Sequence, residues 1–167
     1  MPPSKSLILN IGSGPHPPKG QVNLDIHPFP GVDIVHDIQQ PWPFPDLTFS
    51  RINAHHVLEH LSALIPAMNQ AYRCLKFGGT ISIKVPWWSG EWAHGDPSHI
   101  RFFDHNSFSP FSDWWQDYRH LAIAGPWLKL SQTYTHRPQD HNTQFLQQMG
   151  FSTCTEMITI LQRPPGG

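Results

Sequence analysis

The residues able to do chemistry in this 167-residue chain begin with Gly12-Ser13-Gly14, directly after the apolar run Leu7-Ile8-Leu9-Asn10-Ile11. Glycine lacks a Cβ and tolerates positive φ, so such a loop lets backbone N–H groups approach a ligand closely. An ordinary glycine-rich turn is the competing reading. The dinucleotide fingerprint would need a third glycine where Pro17 stands, which sets ordinary NAD binding aside. Asp25 ends the next strand-like stretch, where a carboxylate can accept both ribose hydroxyls of an adenosine. Asp37 follows Val32-Asp33-Ile34-Val35-His36, where ligands collect in open α/β sheets and where an acid could accept from an adenine amino group. Either acid alone reads as a turn or cap residue; loop, acid and acid in that order favour a nucleoside site.

A second group is rich in histidine. His56-Val57-Leu58-Glu59-His60 would put two histidines on one helix face with a glutamate beside them, an inverted zinc-protease pattern that allows a zinc hydrolase through His56, Glu59 and His60. The pattern needs a third ligand and a long helix, whereas Pro66 follows closely, so packing or capping roles are preferred and no metal is assigned. The stretch Trp87-Trp88-Ser89-Gly90-Glu91-Trp92-Ala93-His94-Gly95-Asp96-Pro97-Ser98-His99 has the composition of a binding wall. His56 and His99 are candidate proton acceptors near neutrality, Asp96 a candidate orienting partner, and Trp88 and Trp92 could stack on a ring. Two alternatives stay open: Asp96 and His99 tie the loop down by hydrogen bonds, or His94, Asp96 and His99 hold a metal.

The elements that must position these groups follow from hydrophobic pattern. Short β-branched runs predict strands over Leu7 to Ile11, Gln21 to Ile26, Val32 to Val35, Phe49 to Ala54 and Thr80 to Val85. Val57, Leu58, Leu61, Leu64, Ile65, Met68, Ala71, Tyr72 and Leu75 recur at helical spacing, with Pro66 dividing the helix and Gly78-Gly79 ending it as a cap. Ten residues separate Gly14 from Asp25, too few for an ordinary crossover helix. The expected fold is α/β: a Rossmann-like, doubly wound, mostly parallel sheet with an abbreviated first helix. One domain is expected over residues 1–167, with a core at 1–86, an aromatic substrate or lid insertion at 87–125 and C-terminal strands at 126–163. Trp127 to Tyr134 and Thr153 to Gln162 read as strands, and His141 to Met149 as a helix.

Composition limits the partners. A formal charge of −1 disfavours large polyanions, nucleic acid among them. No apolar run approaches the ~20 residues that cross a bilayer, and no secretory pattern opens the chain, so a cytoplasmic location is expected. Cys74 and Cys154 are expected as thiols packed among apolar groups.

These pieces, in this order, resemble class I S-adenosylmethionine-dependent methyltransferases, in particular short bacterial and phage ones. The resemblance runs through Leu9-Asn10-Ile11-Gly12-Ser13-Gly14, Val22-Asn23-Leu24-Asp25, Val32 to Asp37, and Pro43-Phe44-Pro45-Asp46-Leu47-Thr48-Phe49. It continues through Ala54 to Leu61, Tyr72-Arg73-Cys74-Leu75-Lys76-Phe77-Gly78-Gly79 and Asp96-Pro97-Ser98-His99. The chain departs from the family at Asn10, where an acid is usual, at His16 in place of a third glycine, and at Phe77 in place of a proline. The resemblance implies S-adenosylmethionine as cofactor, held by Asn10, Ile11, Gly12, Ser13, Gly14, Asp25, Ile26, Asp37, Ile38, Ala54 and His55. It implies methyl transfer to oxygen or nitrogen of a small-molecule or sugar-like acceptor, with His56, Asp96 and His99 as catalytic candidates. The sequence alternative is a protein that binds or cleaves the cofactor without transferring its methyl group. Oligomeric state has no mark in the sequence.

Overall fold

A computed structural model of the chain describes residues 6–137, 144 and 154–166. Its strands arise where β-branched and apolar residues cluster between turn formers: β1 (Ile8–Ile11), β2 (Val22–Asp25), β3 (Ile34–Val35), β4 (Phe49–His55), β5 (Leu75–Pro86), β6 (Leu128–His136) and β7 (Cys154–Gln162). They form one sheet in the order β3-β2-β1-β4-β5-β7-β6. Strands β1 to β5 pair in parallel, and β7 runs antiparallel to both β5 and β6. The fold is therefore the α/β, mostly parallel Rossmann-like sheet the sequence implies. The step from β1 to β2 is made by a proline-rich loop with no helix, as the ten-residue spacing requires.

The central strands are buried on both sides: Leu9, Ile11, Leu24, Ile52, Ile81 and Ile83 are at most 1% exposed. Helix α1 (Leu64–Cys74) contributes Ala67, Met68, Ala71 and Cys74 to the same core. The helical pattern divides earlier than Pro66. A 3-10 turn at Leu58–His60 ends at the extended Leu61, and α1 starts at Leu64, so Pro66 falls in the first helical turn, where its missing N–H has no partner to lose.

The expected glycine cap is not formed. Helix α1 stops at Cys74, Leu75 is already extended at φ −74° and ψ 138°, and Gly78-Gly79 lies inside β5. Gly78 takes φ +75° there. Arg163 performs the capping instead: its Nη1 donates to the carbonyls of Tyr72, Arg73 and Leu75 at 2.7, 3.2 and 3.0 Å, placing a cation at the helix C-terminus. Its guanidinium also lies over the rings of Tyr72 and Phe77.

Between β5 and β6 the chain forms a five-residue helix, α2 (Glu91–Gly95), and 3-10 turns at Ser109–Phe111 and Arg119–Leu121. Phe103, Phe108 and Phe111 from this stretch, with Trp127, join the core of the sheet, and Trp127 meets Tyr72 of α1 edge-on at 5.0 Å. The strand expected at Trp127 to Tyr134 is β6, and that at Thr153 to Gln162 is β7. The helix expected over His141 to Met149 lies outside the described residues apart from Gln144, which is helical. Cys74 and Cys154 are both buried, and burial pushes the Cys74 thiol up to about 11. No helix among the described residues is long and apolar enough to cross a membrane.

Candidate functional site

The C-terminal ends of β1, β2 and β4 and the segment after β3 enclose a cleft of about 460 Å³, at the edge where parallel sheets bind ligands. Gly12 and Gly14 line it with φ of +63° and +67°. At Gly12 the requirement is steric as well as conformational, because a Cβ would meet Val57 Cγ2 at 2.5 Å. Asp25, 7% exposed, accepts the Gly14 N–H at 2.8 Å on Oδ2 and the His27 N–H at 2.9 Å on Oδ1. These two bonds fix the carboxylate and tie the glycine loop to β2, and each oxygen keeps lone-pair capacity for a hydroxyl. Beside it Ile26 is 57% exposed, an apolar side chain left open to the cleft, and Ile38 lines the same space. Asp37 Oδ1 accepts the Gln39 N–H at 2.9 Å, which shapes the turn after β3.

The other residues expected at the cofactor site are placed differently. Asn10 is buried and donates to Asn23 Oδ1 at 3.2 Å, so it joins β1 to β2 rather than lining the cleft. Ile11 and Ala54 are core residues. Ser13 Oγ is buried without a hydrogen-bond partner. Strand β4 continues through His55, whose Nε2 lies 3.2 Å from Ser82 Oγ, and burial with the nearby Lys84 lowers its pKa. Turning at φ +53°, His56 is the first residue after β4 to reach the cleft, and Val57 follows it.

Sequence reasoning passed over His27, Phe29, His36 and Gln39, which also line the cleft. His36 Nε2 is buried with no partner. Its position immediately before Asp37 was the available signal; His27 and Phe29 sit in an aperiodic proline-rich loop that offered none.

A second cavity of about 380 Å³ adjoins the first, sharing His56 and His60. Glu59, Pro86, Trp92, Asp96, His99 and Glu156 complete its wall. The His56 ring stands between two carboxylates, with Nε2 3.1 Å from Glu156 Oε1 and Nδ1 3.4 Å from Glu59 Oε1, and Glu156 also meets Lys84 Nζ at 2.9 Å. Asp96 accepts from the Ser98 hydroxyl at 2.5 Å and the Ser98 N–H at 2.8 Å, which hold its carboxyl below the usual range. Its other oxygen is 3.9 Å from His99 Nε2, beyond a hydrogen bond. His99 instead donates from Nδ1 to the Ala93 carbonyl at 3.2 Å. The structure therefore brings His56 and His99 to one cavity, with Asp96 acting on Ser98 rather than directly on His99.

Residues 19–83, spanning β2 to most of β5, match the family described as methyltransferase domain. The matched stretch is 65 of the 167 residues, and the sheet as a whole shares its fold with S-adenosylmethionine-dependent methyltransferases. It resembles that of a SAM-dependent methyltransferase from Archaeoglobus fulgidus, with TM-score 0.64 and 13% identity over 95% of this chain and 86% of the other. A SAM-dependent methyltransferase from Mesorhizobium loti gives 0.59 and 11% over 94% and 90%. The [4+2]-cyclase SpnF gives 0.64 and 15% over 96% and 76%, so the fold of this domain also serves a different reaction. No curated protein matches the sequence.

Proposed function

We propose that the chain is a methyltransferase that binds S-adenosylmethionine in the cleft between Gly12 and Gln39 and transfers its methyl group to oxygen or nitrogen of a small molecule or sugar entering through the second cavity. The observation that carries this reading is the shared wall: His56 and His60 belong to both cavities, so an acceptor in one faces a ligand in the other. The cofactor-side residues suit the group. Gly12 brings bare backbone to the cleft wall, where a Cβ would overlap Val57, Asp25 is a fixed carboxylate for ribose hydroxyls, and Ile26 offers an open apolar face for a purine. His36 Nε2 is a buried polar atom awaiting a partner at the same end.

When bound, the cofactor supplies a methyl group on a sulfonium, which is electrophilic without further activation. The chain's own residues then have to position the acceptor and take its proton. His56, at the junction and aligned by Glu156, is the proposed proton acceptor. Trp92, 64% exposed on the cavity wall, is a stacking surface for a ring, and Asp96 and His99 shape that wall.

The test is incubation of purified protein with S-adenosylmethionine, first alone and then with panels of hydroxyl- and amine-bearing sugars and small aromatics, followed by mass spectrometry. Slow turnover alone, with an acceptor gaining 14 mass units and S-adenosylhomocysteine appearing in equal amount, is the expected result; the mass is roughly that of CH₂. Rapid formation of methylthioadenosine without acceptor would replace transfer by cofactor cleavage.

A further inference from the structure

The second cavity contains a donor set that methyl transfer itself does not use. One ligand atom from each of Glu59, His60 and His99 lies within 4.8 Å of the others. Glu59 is 1% exposed, and neither carboxylate oxygen has a hydrogen-bond partner. A buried ionised carboxylate without hydrogen bonds is costly, and a cation is the ordinary compensation. The nearest positively chargeable atom is His56 Nδ1, 3.4 Å away, whose ring is already drawn towards Glu156 on its other side.

The two imidazoles are arranged as metal ligands are. His99 Nδ1 lies 3.2 Å from the Ala93 carbonyl, which can only accept, so Nδ1 carries the proton and Nε2 a free lone pair. His60 Nδ1 lies 3.0 Å from Ser98 Oγ and 3.3 Å from the Ser98 carbonyl. The Ser98 hydroxyl donates to Asp96, leaving its lone pairs for the His60 Nδ1–H, so Nε2 of His60 is again the free atom. A carboxylate–hydroxyl–imidazole chain and an imidazole–carbonyl pair are the outer contacts that fix the tautomer of metal-binding histidines. The two rings meet at 4.7 Å between centroids, inclined by 61°. Ligand atoms about 2.0–2.2 Å from an ion stand about 3.3 Å apart, so the donor side chains, now within 4.8 Å of one another, have to draw in to close around it.

We infer that Glu59, His60 and His99 form a binding site for a divalent transition-metal ion of zinc type, open towards the second cavity. Two nitrogens and one carboxylate suit zinc or cobalt, and three protein ligands leave a position for an exogenous oxygen or nitrogen donor. Neither metal pattern suggested by local spacing is the one assembled. His56 lies outside the group, and His94 is engaged with the Trp88 carbonyl at 2.7 Å and stacked on Phe102. The donors come from the turn after β4 and from the loop 39 residues further along the chain. The site stands on cavity geometry alone; its use in methyl transfer rests on the function proposed above.

The test is titration of metal-free, full-length protein with zinc chloride by calorimetry and with cobalt chloride by visible absorption, in the absence of S-adenosylmethionine. Expected are one ion per chain, a cobalt spectrum distinct from that of the aquo ion, and a rise in thermal midpoint with zinc. Glu59→Gln, His60→Gln and His99→Gln should each weaken binding at least tenfold, and His120→Ala, at an exposed histidine outside the cavity, should leave it unchanged. No saturable binding by the folded native chain would overturn the inference, as would equal affinity in folded Glu59→Gln and His99→Gln variants. Should a variant fail to fold, the native cobalt spectrum decides: an aquo-like spectrum refutes the site. Because cofactor is absent throughout, this failure is separable from failure of the methyltransferase reading, which cofactor binding tests.

Discussion

Asp25→Asn is the perturbation whose consequences the structure specifies most closely. The carboxylate now accepts two backbone N–H groups, from Gly14 at 2.8 Å and His27 at 2.9 Å, one on each oxygen. Asparagine keeps one acceptor and replaces the other by an amide NH₂, which would face an N–H and be unable to accept from a ribose hydroxyl. Losing one charge-assisted acceptor towards the cofactor costs about 1.5–3 kcal/mol. At about 1.4 kcal/mol per tenfold, that corresponds to roughly a 10- to 100-fold weaker affinity for S-adenosylhomocysteine. A backbone donor is also orphaned, so the thermal midpoint should fall, and binding has to be compared at a temperature where circular dichroism shows both proteins folded. Calorimetric titration gives the two dissociation constants. A folded variant binding within twofold of the native protein would refute the assignment of Asp25 to the ribose.

Gly12→Ala should be worse for binding than its size suggests, since φ is +63° and the new Cβ would overlap Val57. Adding Val57→Ala should recover part of the stability but not the strain of about 1 kcal/mol or more, as chemical denaturation of the two variants would show. Arg163→Ala removes the donors to three carbonyls ending α1 and should cost about 2–3 kcal/mol in urea denaturation, with Arg163→Lys recovering only part because it lacks the planar fork. His55 has a folded-state pKa lowered from 6.5, first by burial and then by Lys84, so the unfolded chain binds its proton more readily. Stability from this residue is complete above about pH 6.5 and is lost as pH falls through the depressed folded value; denaturation from pH 8 to 5 should show the fall, smaller in His55→Gln.

The first half of the fold is legible in the sequence because most of its strands are short apolar runs ended by or close to glycine, proline or an acid. Gly12, Gly14, Asp25 and Asp37 sit at those ends and so reach the cleft whatever the details of packing. Local pattern and structure differ where strand pairing takes over. Leu75 leaves α1 to pair with Phe49, so a helix whose apolar spacing runs on to Leu75 stops at Cys74 and the glycine pair lands inside β5. His55 pairs with Lys84, extending β4 by one residue and passing the cleft-lining position to His56. Asn10 was a candidate ligand by position, but its register partner is Asn23, whose Oδ1 accepts the Asn10 amide N–H at 3.2 Å. The Glu59, His60 and His99 group was invisible as a unit because its third member is carried on a different loop, and local spacing suggested His56 and His94 in its place.

The central claim is that S-adenosylmethionine occupies the cleft beside β1, β2 and β3. Titration of ¹⁵N-labelled protein with S-adenosylhomocysteine, followed by amide chemical shifts, tests both occupancy and location. The account predicts saturable shifts at Gly12, Gly14, Asp25, Ile26, Asp37 and Ile38, extending to His56 and Val57 and fading along β6. A folded protein whose amides do not move, or move only away from these residues, would contradict it.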